Sequence, residues 1–360
     1  MPPLRVLIAG GGTGGHLFPG MAIAEALGQQ GPVEIRFVGT SHGIEAQVIP
    51  KRGWVLYCLP VSGLYRVGLF KKLISLSKLP VALIQSIFVL LSYRPQVVVG
   101  VGGYASGPIL LMALLLGFNT VLQEQNAYPG MTNRLLGKYV PLSFVPFAGL
   151  EAIFKNPIVV GNPVRKEIQE GALQVYERPD SPFTVVVVGG SQGARVLNQA
   201  MVGALSFLKN HQIRILHQTG VADFESVQQS YVAFPELQAE VTPFVETMAQ
   251  WYQQAHVVVS RAGSVVMEIC AMGRASILVP IPNASGEHQQ KNALAMEQGG
   301  AAILLEQRML TPEKLVEQIL VLKEDITMRR GMEEAAREMY PGDAAQTIAF
   351  QIRRFYHLGD

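Results

Sequence analysis

Val6-Leu7-Ile8-Ala9-Gly10-Gly11-Gly12-Thr13-Gly14-Gly15-His16 runs from a short apolar stretch into a glycine turn, and a helical pattern follows to about residue 29. A strand, a glycine turn and a helix N-terminus form an anion site, because the first helical N–H groups lack partners and the dipole is positive there. Gly10, Gly12 and Gly15 also satisfy G-x-G-x-x-G, the spacing of a dinucleotide site. That reading needs an acid at the end of the second strand to hold a ribose. The second strand, near 33–38, runs into Gly39-Thr40-Ser41-His42 with no carboxylate, which argues against NAD. His16 stands where an imidazole can take a proton from a substrate hydroxyl. Its plainer reading is a histidine that caps or braces the turn.

Outward from this stretch the chain alternates. Apolar runs at 4–9, 33–38, 54–59, 96–101, 119–122 and 157–160 read as strands, with helices near 18–30, 43–50, 69–93, 107–117 and 129–138. A second start follows at 183–188, leading into Gly189-Gly190-Ser191-Gln192-Gly193-Ala194-Arg195 and a helix to about 210. Further strands are expected at 212–217, 239–242, 256–260, 275–280 and 301–305. A second echo joins Val97-Val98-Val99-Gly100-Val101-Gly102-Gly103 to Val257-Val258-Val259-Ser260-Arg261-Ala262-Gly263. The expected fold is α/β: two Rossmann-like, doubly wound domains facing a cleft, with ligands at the carboxyl ends of the strands. Residues 1–161 form the first domain and 162–340 the second. The last helix, within 341–360, is expected to pack back on the first domain. Gly161-Asn162-Pro163-Val164 reads as a hinge, and 171–182, with Pro179 and Pro182, as a surface link.

Composition sets bounds. At 360 residues the chain is long for one core, and its two cysteines, Cys58 and Cys270, lie in apolar runs, which excludes a disulfide framework. No apolar stretch reaches the ~20 residues of a membrane span. Residues 1–160 carry 12 Lys/Arg against 5 Asp/Glu, while the remainder carries 17 against 22. No acid occurs from 46 to 123, so the first half presents a one-signed field suited to an anionic surface. Within it, Leu69, Phe70, Lys71 and Lys72 mix apolar and cationic side chains, as in a segment resting in a headgroup layer; an ordinary amphipathic helix over the sheet is the alternative.

Other candidates are weighed the same way. Ser191 offers a hydroxyl to a phosphate within the second glycine loop, which can equally be a close helix–strand turn. Glu268, a turn inside the helix opened by Ser260-Arg261-Ala262-Gly263, suits a pair of ribose hydroxyls or a helix dipole. Gln289, in Gly286-Glu287-His288-Gln289-Gln290, suits sugar hydroxyls or is a polar helix start. Arg165, after Asn162-Pro163, can neutralise a diphosphate or form a hinge salt bridge. The five Asp form no D-x-D pair and the His and Cys show no ligand spacing, so no metal and no cofactor is expected.

Five motifs in order then carry a resemblance. Gly11-Gly12-Thr13-Gly14-Gly15-His16-Leu17-Phe18-Pro19-Gly20, Gly102-Gly103-Tyr104-Ala105-Ser106-Gly107, Glu124-Gln125-Asn126, Gly161-Asn162-Pro163-Val164-Arg165 and the loop at 189–195 resemble the MurG family of peptidoglycan glycosyltransferases. The resemblance covers essentially the whole chain. It implies a two-domain enzyme of glycosyltransferase B type that inverts the anomeric centre. Its donor is UDP-GlcNAc, held mainly by the second domain, and its acceptor an undecaprenyl-diphosphate-linked muramoyl pentapeptide, held by the first. It also implies a peripheral place on the cytoplasmic face of the inner membrane, contacts with other cell-wall enzymes and no nucleic acid partner. By motif, Thr13, Gly14, Gly15, Asn126, Arg165, Ser191, Val245, Glu268 and Gln289 would contact the donor. His16 would face the acceptor as base, with Glu124 as second candidate, and Tyr104 would lie on the acceptor side. Gln123 departs from the pattern, standing where many relatives have a histidine. Two alternatives remain: another two-domain nucleotide-sugar enzyme such as a UDP-GlcNAc 2-epimerase, and a non-catalytic nucleotide-sugar-binding protein.

Overall fold

The structure, a computed structural model, describes residues 2–357 apart from 13, 62–76, 175, 177, 180, 190–193 and 283–286. Two compact units divide the chain: unit 1 is Met1–Pro163 with Gly342–Asp360, and unit 2 is Val164–Pro341.

Unit 1 is built on seven parallel strands: β1 (Leu4–Ala9), β2 (Val33–Gly39), β3 (Val55–Cys58), β4 (Val97–Gly100), β5 (Asn119–Gln123), β6 (Leu142–Val145) and β7 (Pro157–Val159). They lie in the order β3-β2-β1-β4-β5-β6-β7. Both faces are covered, so the centre of the sheet reads as continuous apolar runs, Val6–Ala9 in β1 and Val97–Val99 in β4. Val6 and Ile8 of β1 enter a cluster with Leu17, Ile23 and Leu27, while Leu7 and Ala9 enter another with Leu90, Ile109 and Leu110. The helix Ala344–His357 closes the first cluster with Ile348 and Ile352 and packs on the helix Gly14–Gln29. Arg353 donates to the carbonyls of Leu27 and Gly31 at 2.8 and 3.0 Å, and Tyr356 donates to Thr120 O at 2.9 Å. β6 is the strand that the apolar pattern does not announce. Its run is four residues long, carries the buried Ser143 and is bounded by Pro141 and Pro146.

Unit 2 has six parallel strands: β8 (Phe183–Val188), β9 (Ile213–Gln218), β10 (Gln238–Thr242), β11 (Val257–Ser260), β12 (Ala275–Leu278) and β13 (Ala302–Leu304). Their order, β10-β9-β8-β11-β12-β13, repeats the first six strands of unit 1. In each sheet the order reverses beside the first strand, between β1 and β4 and between β8 and β11. Ligands bind outside the carboxyl ends of strands at such a switch point. The two sequence echoes are the loops that leave these four strands, which is why the same glycine-rich texture appears twice.

Candidate active site

In unit 1 the loops after β1 and β4 press together, and glycine makes the approach possible. A Cβ on Gly103, at φ +84°, would fall 2.4 Å from the Gly11 carbonyl oxygen. One on Gly102, at φ +87°, would fall 2.9 Å from His16 Nδ1. His16 sits in the first turn of Gly14–Gln29, half-buried, with Nδ1 at 2.8 Å from Gln125 Oε1. The amide of Gln125 has one possible orientation, because its Nε2 donates to the Val101 carbonyl at 2.8 Å. Gln125 Oε1 is therefore the atom facing the imidazole, and it can only accept. In the neutral ring this contact puts the proton on His16 Nδ1 and the lone pair on Nε2, which has no protein partner among the described residues. Asn162 holds Gln125 in turn: its Nδ2 donates to Gln125 O at 2.6 Å, and its Oδ1 accepts from Gln123 Nε2 at 3.0 Å. Gln123, the departure from the family pattern, also accepts a bond from Gln125 Nε2 through its Oε1. It is part of the frame behind the histidine.

Glu124, the second candidate base, has both carboxylate oxygens engaged by the chain itself. Its carboxylate is 1% exposed. Oε1 accepts from Gln125 N, Asn126 N and Asn126 Nδ2 at 2.8, 2.9 and 3.1 Å. Oε2 accepts from Gly130 N and Asn133 Nδ2 at 3.0 and 2.9 Å. Five N–H donors leave no oxygen for a substrate proton, and the residue instead fixes the turn that presents Gln125 and Asn126. Tyr104 is exposed beside the paired loops, and Gly14 and Gly15 open the helix that carries His16.

A second acid in unit 1 escaped the sequence reading. Glu45, on the helix Glu45–Lys51, is fully buried. Its Oε2 accepts the Gly12 N–H at 2.8 Å, and its Oε1 accepts the Thr40 N–H and hydroxyl, each at 2.8 Å. Burial pushes the carboxyl pKa up, but the N–H groups of Gly12 and Thr40 outweigh it and hold the group below its ordinary value.

In unit 2 the sequence candidates Arg165 and Glu268 meet each other. Arg165 Nε and Nη2 bond the two oxygens of Glu268 at 2.9 and 3.0 Å, and its Nη1 lies 3.0 Å from Glu167. The buried Tyr252 adds a hydroxyl bond to Glu268 Oε2 at 3.2 Å. Of the two expectations for Arg165, the structure shows an ion pair: its guanidinium engages two carboxylates, and bidentate pairing fixes the Glu268 side chain. A different cation lies at the switch point. Arg261, just past β11, is half-buried, donates Nη1 to Val279 O at 3.0 Å, and has no carboxylate partner among the described residues. Its buried Nε makes no hydrogen bond, and burial lowers its pKa. Val245 is buried after β10, and Gln289 accepts the Ile281 N–H at 3.0 Å. Buried Asn292 ties the helix His288–Gln298 to the β11 loop through Ala262 O at 3.1 Å. Thr13 and Ser191 lie outside the described residues. Among the described residues no group of three His, Cys, Asp or Glu could hold a metal ion.

Comparison with known proteins decides the family. The glycosyltransferase family 28 N-terminal domain matches residues 6–143, and the family 28 C-terminal domain matches 184–348. The chain belongs to glycosyltransferase family 28. A family member from Myxococcus xanthus, named UDP-N-acetylglucosamine--N-acetylmuramyl-(pentapeptide) pyrophosphoryl-undecaprenol N-acetylglucosamine transferase, is 42% identical, with 96% of this chain and 91% of that protein covered. One of the same name from Syntrophotalea carbinolica is 41% identical over 96% of this chain and 97% of its own. The crystal structure of Acinetobacter baumannii MurG superposes with a TM-score of 0.83 at 31% identity, covering 98% of this chain and 100% of that one. A putative UDP-N-acetylglucosamine 2-epimerase from Listeria monocytogenes, at 13% identity and TM-score 0.64, shares the fold alone.

One further surface of this family 28 chain is apolar and exposed. Leu69, Phe70, Lys71 and Lys72 lie outside the described residues, but the helix Leu79–Tyr93 is apolar on both faces and buries only one. Ala82, Ser86, Leu90 and Tyr93 face the core, while Val81, Ile84, Phe88 and Leu91 form an exposed stripe, Phe88 at 69%. The adjoining helix Ser106–Leu115 exposes Leu111 and Leu115, and Lys78 and Arg94 flank the stripe. Among the described residues no helix is long and apolar enough to cross a membrane.

Proposed function

We propose that this chain transfers N-acetylglucosamine from UDP-GlcNAc to the muramoyl sugar of undecaprenyl-diphospho-muramoyl-pentapeptide, a step of peptidoglycan synthesis. The observation that carries the reading is His16, poised with its Nε2 lone pair open at the switch point of unit 1, in a family 28 chain whose named relatives match it nearly end to end. The acceptor hydroxyl attacks C1 of GlcNAc from the face opposite UDP. His16 Nε2 takes the hydroxyl proton, the C1–O bond forms, and the bond to the β-phosphate oxygen breaks, inverting the anomeric centre. No second base is required, which fits the burial of Glu124. Gln125 stabilises the imidazole in its base-competent tautomer.

Unit 2 holds the donor. Glu268, steadied by Arg165 and Tyr252, accepts the ribose hydroxyls, and the N–H groups of the 189–193 loop with Ser191 take the diphosphate. Arg261 adds the positive charge that Arg165 cannot spare. Val245 and Gln289 complete the donor contacts, with Asn126, Thr13, Gly14 and Gly15 contributing from unit 1. Tyr104 lies on the acceptor side. The stripe of Val81, Ile84, Phe88 and Leu91, with its flanking cations, rests on anionic lipid at the cytoplasmic face of the inner membrane. There the enzyme meets its lipid-linked acceptor.

Labelled UDP-GlcNAc incubated with and without the lipid-diphosphate muramoyl acceptor tests the reading. Label enters lipid only when acceptor is present. Conversion of UDP-GlcNAc without acceptor would instead mark an epimerase, and binding with no turnover a non-catalytic protein.

A further inference from the structure

Glu45 presents a chemical oddity. It is a fully buried carboxylate in a unit rich in cations, yet no cation pairs with it among the described residues. An unpaired buried charge is costly unless hydrogen bonds take the place of water. Here the compensation comes from the Gly12 N–H, the Thr40 N–H and the Thr40 hydroxyl. The pocket itself is cut to a carboxylate. A Cβ on Gly11 would meet Glu45 Cδ at 2.4 Å, one on Gly39 would meet its Cγ at 2.5 Å, and one on Gly43 its Oε2 at 2.2 Å. Three glycines from three segments thus wall one anion.

The N–H that Glu45 occupies is significant. Gly12 is the second glycine of Gly10-x-Gly12-x-x-Gly15, the position whose lack of a side chain lets the backbone approach a pyrophosphate in a dinucleotide site. In this chain that amide is already bonded to an internal anion. A phosphate oxygen brought to Gly12 would meet a carboxylate oxygen at hydrogen-bond range of the same N–H, with like charges opposed.

We propose that Glu45 fills, from within the chain, the seat a nucleotide phosphate takes in a dinucleotide-binding loop, positioning the 10–12 turn ahead of His16 and barring phosphate from Gly12. The turn, with Gly11 at φ +148° and Gly12 at φ +85°, is thereby set before any ligand arrives. The donor diphosphate is left to unit 2. Glu45 is a positioning residue: it touches the turn and not the reacting atoms. This inference rests on the transfer reaction proposed above.

Glu45→Gln and Glu45→Ala, made in the full chain, test it. Glutamine keeps the size, but one of its two ends must turn an NH2 toward a backbone N–H, of Gly12 or of Thr40. The expected result is a kcat lower by roughly 10- to 100-fold, as for loss of a charge-assisted hydrogen bond. The KM for UDP-GlcNAc stays within about twofold of wild type because the donor is held mainly by the other unit and Gly12 is not among its contacts. In Glu45→Ala the emptied pocket accepts formate, which restores kcat severalfold and raises the melting temperature. Formate does neither for Glu45→Gln, whose side chain fills the space, nor for wild type. Wild-type kcat in Glu45→Gln, a loss confined to donor KM, or a Glu45→Ala protein that binds UDP normally but ignores formate would each overturn the proposal. A wild-type protein that transfers nothing would overturn the transfer reading instead. The formate-dependent melting of Glu45→Ala, which needs no turnover, then still decides the role of Glu45.

Discussion

In unit 1 the acid that follows the second strand, Glu45, reaches back to the glycine turn and accepts a backbone N–H from it. In unit 2 the acid at the corresponding place after β9, Asp223, turns to side chains of the helix Arg195–Leu208. It accepts from Arg195 Nε at 3.1 Å and from Asn198 Nδ2 at 3.0 Å. The two sheets share strand order and switch point, yet one acid reaches the backbone of its glycine turn and the other is held by side chains, an arginine among them. The lesson is that sheets of one topology can carry an acid to the same place after the second strand and spend it on different partners. A related contrast runs through the buried groups. Unit 1 meets its buried carboxylates with neutral N–H donors, at Glu45 and Glu124. Unit 2 uses ion pairs, such as Arg178–Glu333 at 2.6 Å, and buried neutral histidines.

The most severe way to break this comparison is His16→Ala. If proton transfer belongs to unit 1, kcat falls by about 10²–10⁴-fold while the KM for UDP-GlcNAc is unchanged. Steady-state kinetics with saturating acceptor reads the split, and near-normal kcat would remove His16 from the mechanism.

Acid should then separate the units by their buried groups. Burial, aided for His256 by the charges of Arg178, Arg329 and Arg274, pushes His217 and His256 down to about 3. Both are neutral when folded, whereas in the unfolded chain they take up a proton below about pH 6.5. Their contribution to stability is complete above that pH and is lost as pH falls toward 3, at about 1.4 kcal/mol per pH unit for each. Glu45, with its lowered pKa, begins to count only below about pH 4.3. Denaturant unfolding at pH 7.5, 6 and 5 should therefore show a loss that His217→Gln reduces by about 2 kcal/mol at pH 5. Equal slopes in variant and wild type would contradict the assignment.

Gln125→Glu probes the frame behind His16 more gently. A carboxylate beside the imidazole favours its protonated form, so the acid limb of kcat/KM should move up by about one pH unit, a tenfold loss on that limb. A purely structural Gln125 would leave the limb where it is. The smallest effect is expected at the exposed stripe. Ile84→Ser with Phe88→Ser should weaken sedimentation with anionic vesicles severalfold and leave turnover of a detergent-dispersed acceptor unchanged. Unaltered vesicle binding would move the membrane contact elsewhere.

Much of this was legible in the residues. The glycine echoes at 10–16 and 189–195, and at 100–103 and 260–263, mark the loops at the two switch points, and in unit 1 Gly102 and Gly103 are required where the adjacent loops crowd. His16 stood out because it follows such a loop. Glu45 did not, since a dinucleotide site carries its acid at the end of the second strand, while this carboxylate arrives from the next helix. Gln125 belongs to a motif, but its role depends on which end of its amide faces the ring, a fact set by the distant Val101 carbonyl. Arg165 and Glu268, far apart in sequence, were assigned to separate ligand groups; only folding reveals that they pair. The stripe on Leu79–Tyr93 was hidden because that helix is apolar all round, and periodicity cannot say which face is covered.

The central claim is that unit 1 does the proton chemistry and unit 2 binds the donor. Calorimetric titration of UDP-GlcNAc into wild type, His16→Ala and Glu268→Ala tests it most directly. The account predicts an unchanged Kd for His16→Ala and a Kd about tenfold or more weaker for Glu268→Ala, the loss of a charged hydrogen-bond acceptor to ribose. A Kd weakened by His16→Ala and untouched by Glu268→Ala would contradict it.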